Sequence, residues 1–214
     1  MKNNIQSYLA FTTRLYRMLL FLAMPLLVIA VQLLIFRKGN LQSMITTVFL
    51  IASVEVLVDS LAFGGISSRE VGGMEYLKSS AKGYRVLCTA LAVNLARQLL
   101  EEIALLLICQ GIASAYRGAP LFVEGEMPLF LAVVLLGYFV TVLGVVIARF
   151  FTNLAFRMCV MCLEIIPIIG IFTVLRQSYA VASALLVVLS AVAGAGGIWF
   201  TMKRGKESYY DKAA

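Results

Sequence analysis

The chain has 214 residues, of which 62% are hydrophobic and only 14% charged, and its mean hydropathy is +0.96. No water-soluble core needs so large an apolar share, so the composition excludes an ordinary soluble domain and sets the chain in a membrane. The net charge of +7 invites a nucleic-acid reading, but the basic residues are scattered between apolar runs and no nucleic-acid motif occurs; membrane topology accounts for them and nucleic acid is not expected as a partner.

A helix needs about 20 apolar residues to cross roughly 30 Å of hydrocarbon. Before the first such run, residues 3–17 place Ile5, Leu9 and Tyr16 at helical spacing among Gln6, Thr13 and Arg14, which suits a helix lying in the membrane interface; a frayed polar leader is the plainer alternative. Six runs of spanning length follow. They are 18–36, which contains Pro25, then 44–63, a run within 86–115, 129–148, 158–175 and 180–202. Strands of a barrel would alternate over about ten residues, and these runs do not alternate. The predicted fold class is therefore all-α, a polytopic membrane protein with one transmembrane domain over 1–214. The first run starts late, is of full length and has no small-residue cleavage site before Arg37, so it is expected to stay as a span and not to be removed as a signal peptide.

Lys and Arg are retained on the cytoplasmic side of short loops. With the N-terminus inside, the inner segments hold Lys2, Arg14, Arg17, Arg69, Lys78, Lys82, Arg85, Arg149, Arg157, Lys203, Arg204, Lys206 and Lys212. The outer ones hold only Arg37, Lys38, Arg117 and Arg176, and Arg97 falls within the third span. Both termini are expected in the cytoplasm of a multi-pass protein of the cell membrane.

Between the second and third spans lies a polar stretch, residues 67–82. Gly72 and Gly73 allow a sharp turn, after which Met74, Leu77 and Ala81 fall three and four apart, with Glu75, Lys78, Ser79 and Lys82 on the other sides. That pattern predicts a short amphipathic helix across the cytoplasmic ends of the spans, presenting a surface to a partner. An ordinary cytoplasmic loop is the plainer alternative.

The run Glu70-x-Gly72-x-x-Glu75-x-Leu77-x-Ser79 resembles the coupling-helix region of type-2 ABC exporter permeases, which reads roughly E-x-G-T-L-E-x-L-x-S-x-P between spans two and three of a six-span chain. Gly73 stands where that family usually has Thr, Met74 where it has Leu, and Ala81 where it often has Pro. The resemblance implies a permease that pairs with a second copy of itself and docks each coupling helix on a separate ATP-binding subunit, through Glu70, Gly72, Gly73, Met74, Glu75, Leu77, Lys78 and Ser79. ATP and Mg would be bound by that partner. This chain is not expected to be the ATPase or any other enzyme and carries no cofactor of its own. A P-loop wraps phosphate with G-x-x-x-x-G-K-S/T, and here Gly205-Lys206 is followed by Glu207 without the upstream glycine.

Ionisable groups inside spans cost about 2.5 to 3.5 kcal/mol each near the centre on insertion scales, so each needs a partner or a cavity. Glu55 and Asp59 lie four apart in span two, Arg97 and Glu101 four apart in span three with Glu102 beside them, and Glu164 stands in span five. An antiparallel neighbour carrying Glu55 and Asp59 would bring those acids near Arg97. Two readings follow: the network neutralises itself at the cytoplasmic end of the bundle, or the surplus acids, with Glu164, line a translocation path for a cationic or amphipathic substrate. Pro167 and Gly170 predict a kink in span five or, as the resembling family suggests, a re-entrant hairpin over 166–176.

Cys88, Cys109, Cys159 and Cys162 lie in or beside apolar runs, and the chain has no histidine. A C-x-x-C without a second pair or a His does not make a zinc site, so no metal site is predicted and the cysteines read as small packing residues. The external loop of 118–128 carries Glu124 and Glu126, and Ala193-x-x-x-Gly197 in span six permits close helix approach, within the subunit or between two copies. The leading expectation is the permease subunit of an ATP-driven exporter moving an amphipathic substrate, a peptide or small molecule, with membrane lipid around it. The runner-up is a membrane-embedded substrate-binding subunit of a vitamin importer. An intramembrane enzyme ranks third, since without histidine only acids or Cys could serve it.

Overall fold

The computed structural model describes residues 2–35, 37, 39, 41–63, 80–122, 126–150 and 179–210. These form an all-helical array, with no strand among the described residues. In chain order the helices are α1 (Lys2–Phe11), α2 (Arg14–Met18), α3 (Met24–Leu34), α4 (Leu41–Phe63), α5 (Ala81–Arg117), α6 (Glu126–Phe150) and α7 (Tyr179–Tyr210). Three stretches are long and apolar enough to cross a membrane, Arg14–Leu34, Ala81–Arg117 and Glu126–Arg149. They coincide with the first, third and fourth expected spans, while α4 and α7 occupy the second and sixth. The fifth expected span, with Glu164, Cys159, Cys162 and the proposed hairpin, lies outside the described residues, as do residues 67–79 of the coupling segment.

The N-terminal segment is two helices, not one. Thr12 and Thr13 interrupt it, and Thr13 caps α2 by accepting a hydrogen bond from the Tyr16 amide at 3.2 Å, which satisfies an orphan donor at the helix start. From there the helix continues through a single π-turn at Leu19–Ala23 into α3, where Pro25 sits in the first turn. A proline ring clashes with the carbonyl four residues before it, here that of Phe21. The wider π-turn takes up that clash without ending the helix. The outer face of this run is apolar and exposed, with Leu15, Met18, Phe21, Leu22, Leu26 and Leu34 all more than half exposed, the pattern of a helix whose surroundings are lipid and not water.

Helix α5 begins at Ala81, the last residue of the expected amphipathic stripe. Ser80 is its N-cap, accepting from the Gly83 amide at 3.0 Å. Its 37 residues make it about 55 Å long, against about 34 Å for the 23 residues of α4. It ends at Gly118, whose φ of 63° forms a left-handed cap, the amide bonding back to the Ser114 carbonyl. Just beyond, Gln110 donates to the Leu121 carbonyl at 2.9 Å and to Glu126 at 3.1 Å, and Arg117 pairs with Glu126 at 2.8 Å. Glu126, an acid of the expected external loop, is thus engaged by its own helix hairpin.

Contacts fix the relative directions. Val48 packs with Leu106, Val133 and Val134, Ala52 with Ala132, Leu136 and Val140, and Val56 with Val145 and Ala148. Numbers rise together on α4 and α6, so these run parallel; α5 runs opposite to both. A second, larger cluster joins Tyr8, Tyr16 and Leu20 to Phe63, Leu87, Ala90 and Leu91, which seats α1 and α2 against the part of α5 that extends past the end of α4.

Among lipid tails, burial of apolar surface gives helices little drive to associate, so close packing and interhelical hydrogen bonds must hold them. Small residues permit that approach. A Cβ added at Gly197 of α7 would lie 2.5 Å from Cγ2 of Val146 on α6, whereas one at Gly196 would meet nothing within 4 Å. Gly197→Ala should therefore lower stability by about 1 to 3 kcal/mol through overpacking, and Val146→Ala should restore it in the double variant. Gly196→Ala should change little. Thermal unfolding of the purified chain in detergent reads all three.

Candidate functional site

The buried polar groups converge where α4 and α6, packed directly on each other, end beside α5. Glu55 and Asp59, one turn apart on α4, are 1% and 0% exposed, and Asn94, Arg97, Gln98 and Glu102 line the facing side of α5. The four-residue spacing 94, 98, 102 puts Asn94, Gln98 and Glu102 on one stripe, with Arg97 and Glu101 at its edge.

Two arginine forks organise the site. The Arg97 guanidinium donates to Glu55 at 2.7 and 2.5 Å and also pairs with Glu101 one turn along its own helix. The Arg149 guanidinium donates to Asp59 at 2.8 and 2.7 Å, with its charged carbon 5.2 Å from the centroid of the Phe63 ring. Bidentate guanidinium–carboxylate pairs are the geometry in which two ions give each other the most in return for lost hydration. Arg149 also lies in the last turn of α6, where the helix dipole favours a cation.

Asn94 joins the two forks. Its side-chain amide donates to Asp59 at 2.9 Å, and its carbonyl accepts from Arg97 at 3.2 Å and from the Tyr16 hydroxyl at 3.3 Å. The Tyr8 hydroxyl donates to that of Tyr16 at 3.2 Å, and the two rings meet edge to face. Burial holds the Tyr8 hydroxyl above its ordinary range, so it remains a neutral donor. Gln98 completes the set, donating to Glu55 at 3.3 Å.

Of the two α4 acids expected near Arg97, Glu55 therefore meets it, and Arg97 pairs in addition with Glu101 on its own helix. Asp59 goes elsewhere: its partner is Arg149, which charge counting placed in a cytoplasmic segment and which is 2% exposed within α6. Four carboxylates thus face two arginines and not one. Glu102 stands apart, buried at 1% exposure, with neither oxygen bonded to any described residue. Glu164 and all eight predicted docking residues from Glu70 to Ser79 lie outside the described residues. Among those described, no group of three Cys, Asp or Glu could hold a metal ion.

The chain matches no protein-family model, no curated protein and no solved structure. What the arrangement does is therefore argued from its chemistry. Glu55, Asp59, Arg97 and Arg149 are desolvated and paired with one another, so they tie α4, α5 and α6 together and offer little to a passing substrate.

Removing one member of a buried pair leaves the other charge uncompensated, which costs about 3 to 5 kcal/mol, whereas removing both charges can be neutral. Arg149→Leu should accordingly destabilise the chain strongly, and Asp59→Asn in the same chain should recover most of the loss. Unfolding midpoints of the two single variants and the double variant in detergent check this. Equal loss in Arg149→Leu and in the double variant would show that the fork does not hold the helices.

Proposed function

We propose that this chain is the permease subunit of an ATP-driven exporter in the cell membrane, with both termini cytoplasmic. It would move an amphipathic or cationic substrate, a peptide being the proposed class, outward by alternating access. The observation that carries the reading is the Glu70-x-Gly72-x-x-Glu75-x-Leu77-x-Ser79 run, placed between two apolar helices, α4 and α5, of an all-helical chain. In this reading the run docks on a separate ATP-binding subunit, and two copies of the chain form the translocation unit.

The polar network supports a mechanical part of that reading. Asp59 lies one turn before the last residue of α4, and Arg149 one residue before the end of α6. A push on the segment after Phe63 would thus reach a clamp that holds α4, α5 and α6 as one body. Rigid helices joined at one end are what a docked lever needs in order to move a wall of the bundle and not merely bend a loop.

Purification of the full chain from its native membrane should bring down an ATP-hydrolysing protein in fixed proportion. Reversing the charge in the docking run, Glu75→Lys, should leave the chain folded but separate the partner's ATP hydrolysis from substrate transport in reconstituted vesicles. Transport that remains fully coupled in Glu75→Lys would sink the docking assignment.

A further inference from the structure

Glu102 is the one acidic side chain of the buried site that the network leaves out. It is 1% exposed, and neither carboxyl oxygen has a hydrogen-bond partner among the described residues. Its surroundings on each packed helix can be named. From α4 come Val48 and, as the charged neighbour, Glu55; from α6 come Gly137 and Tyr138; on its own helix Glu101 precedes it. Glu55 and Glu101 are like charges already committed to Arg97, and the Arg149 fork is spent on Asp59. No cation is left among these groups to pair with an ionised Glu102.

The space around the carboxyl is shaped for it. A Cβ at position 137 would lie 2.9 Å from Glu102 Cδ and 2.9 Å from Val48 Cγ1, so only glycine lets α6 close over the acid. An ionised carboxylate so deeply buried, with no donor on it among the described residues, costs far more than the same group carrying a proton, which neutralises the charge and leaves a small polar acid.

We propose that Glu102 is a proton-binding site, a carboxyl held as the neutral acid between α4, α5 and α6. The proton is taken up on one carboxylate oxygen from solvent and returned to solvent when α6 moves off α5 and water reaches the group. Nothing in this assignment needs a docked ATPase, so it stands or falls apart from the exporter reading.

Infrared spectra of the full chain in lipid nanodiscs at neutral pH test it. A carboxylic-acid carbonyl band that shifts with carbon-13 glutamate labelling should be present in the wild-type chain and absent in Glu102→Gln, a variant of nearly the same shape as the protonated acid. No labelled acid band in the wild type, or a band that persists whole in Glu102→Gln or vanishes instead in Glu101→Gln, overturns the proposal. Should Glu102→Gln yield no folded protein, Glu102→Asp decides: shortened by one methylene, its acid must give a band at a changed frequency, and an unchanged band overturns the assignment.

Discussion

Buried charge in this chain is made tolerable by pairing each of two α4 acids with an arginine from a different helix. Glu55 takes Arg97 from α5 and Asp59 takes Arg149 from α6, and Asn94 ties one pair to the other. Once those forks are set, the register of three helices is fixed, because a shift of one residue on any of them would leave an ion unpaired in a nonpolar medium. Apolar packing then follows along the same register, from Val56 against Val145 down to Val48 against Val133. Buried ionic groups of this kind specify an arrangement more than they stabilise it.

The same constraint reaches the N-terminal helices. Tyr16 and Tyr8 do not carry charge, yet their hydroxyls extend the Asn94 network outward and seat α1 and α2 on the projecting part of α5. A break at Thr12 and Thr13 makes that possible, since a straight helix through this region would carry Tyr8 away from Tyr16. The Thr13 cap and the Arg17 guanidinium, which donates to the Thr12 carbonyl at 3.3 Å, satisfy backbone groups that the break exposes.

Much of the fold was legible because spanning helices need long apolar runs, and the runs at 18–36, 44–63, 129–148 and 180–202 all fall on helices. The Glu55–Arg97 contact was legible too, since α4 and α5 are consecutive and antiparallel and their charges recur at four-residue spacing. Arg149 was not. Sitting at the end of an apolar run, it looks like any basic residue that sets orientation, and only the parallel packing of α4 and α6 turns it inward. Asn94, Gln98, Tyr8 and Tyr16 gave no signal either, because uncharged polar residues in helices have the same spacing whether they face a partner or solvent. The isolation of Glu102 among the described residues could not be read at all: it depends on Arg97 and Arg149 both being occupied, which is a property of the packed helices.

The Asp59–Arg149 fork joins residues 90 positions apart in the chain, with α5 lying between them. In a chain made from its N-terminus, α4 leaves the ribosome well before α6 exists. At 5 to 20 residues per second, Asp59 waits on the order of ten seconds for its arginine. Glu55 finds Arg97 sooner, as α5 arrives next. During that interval α4 carries an acid without its counter-ion from α6, so the surface that bears Asp59 needs other cover until α6 comes. The fork that fixes the finished bundle thereby also orders its assembly, making α6 the element whose arrival completes the seat of α4.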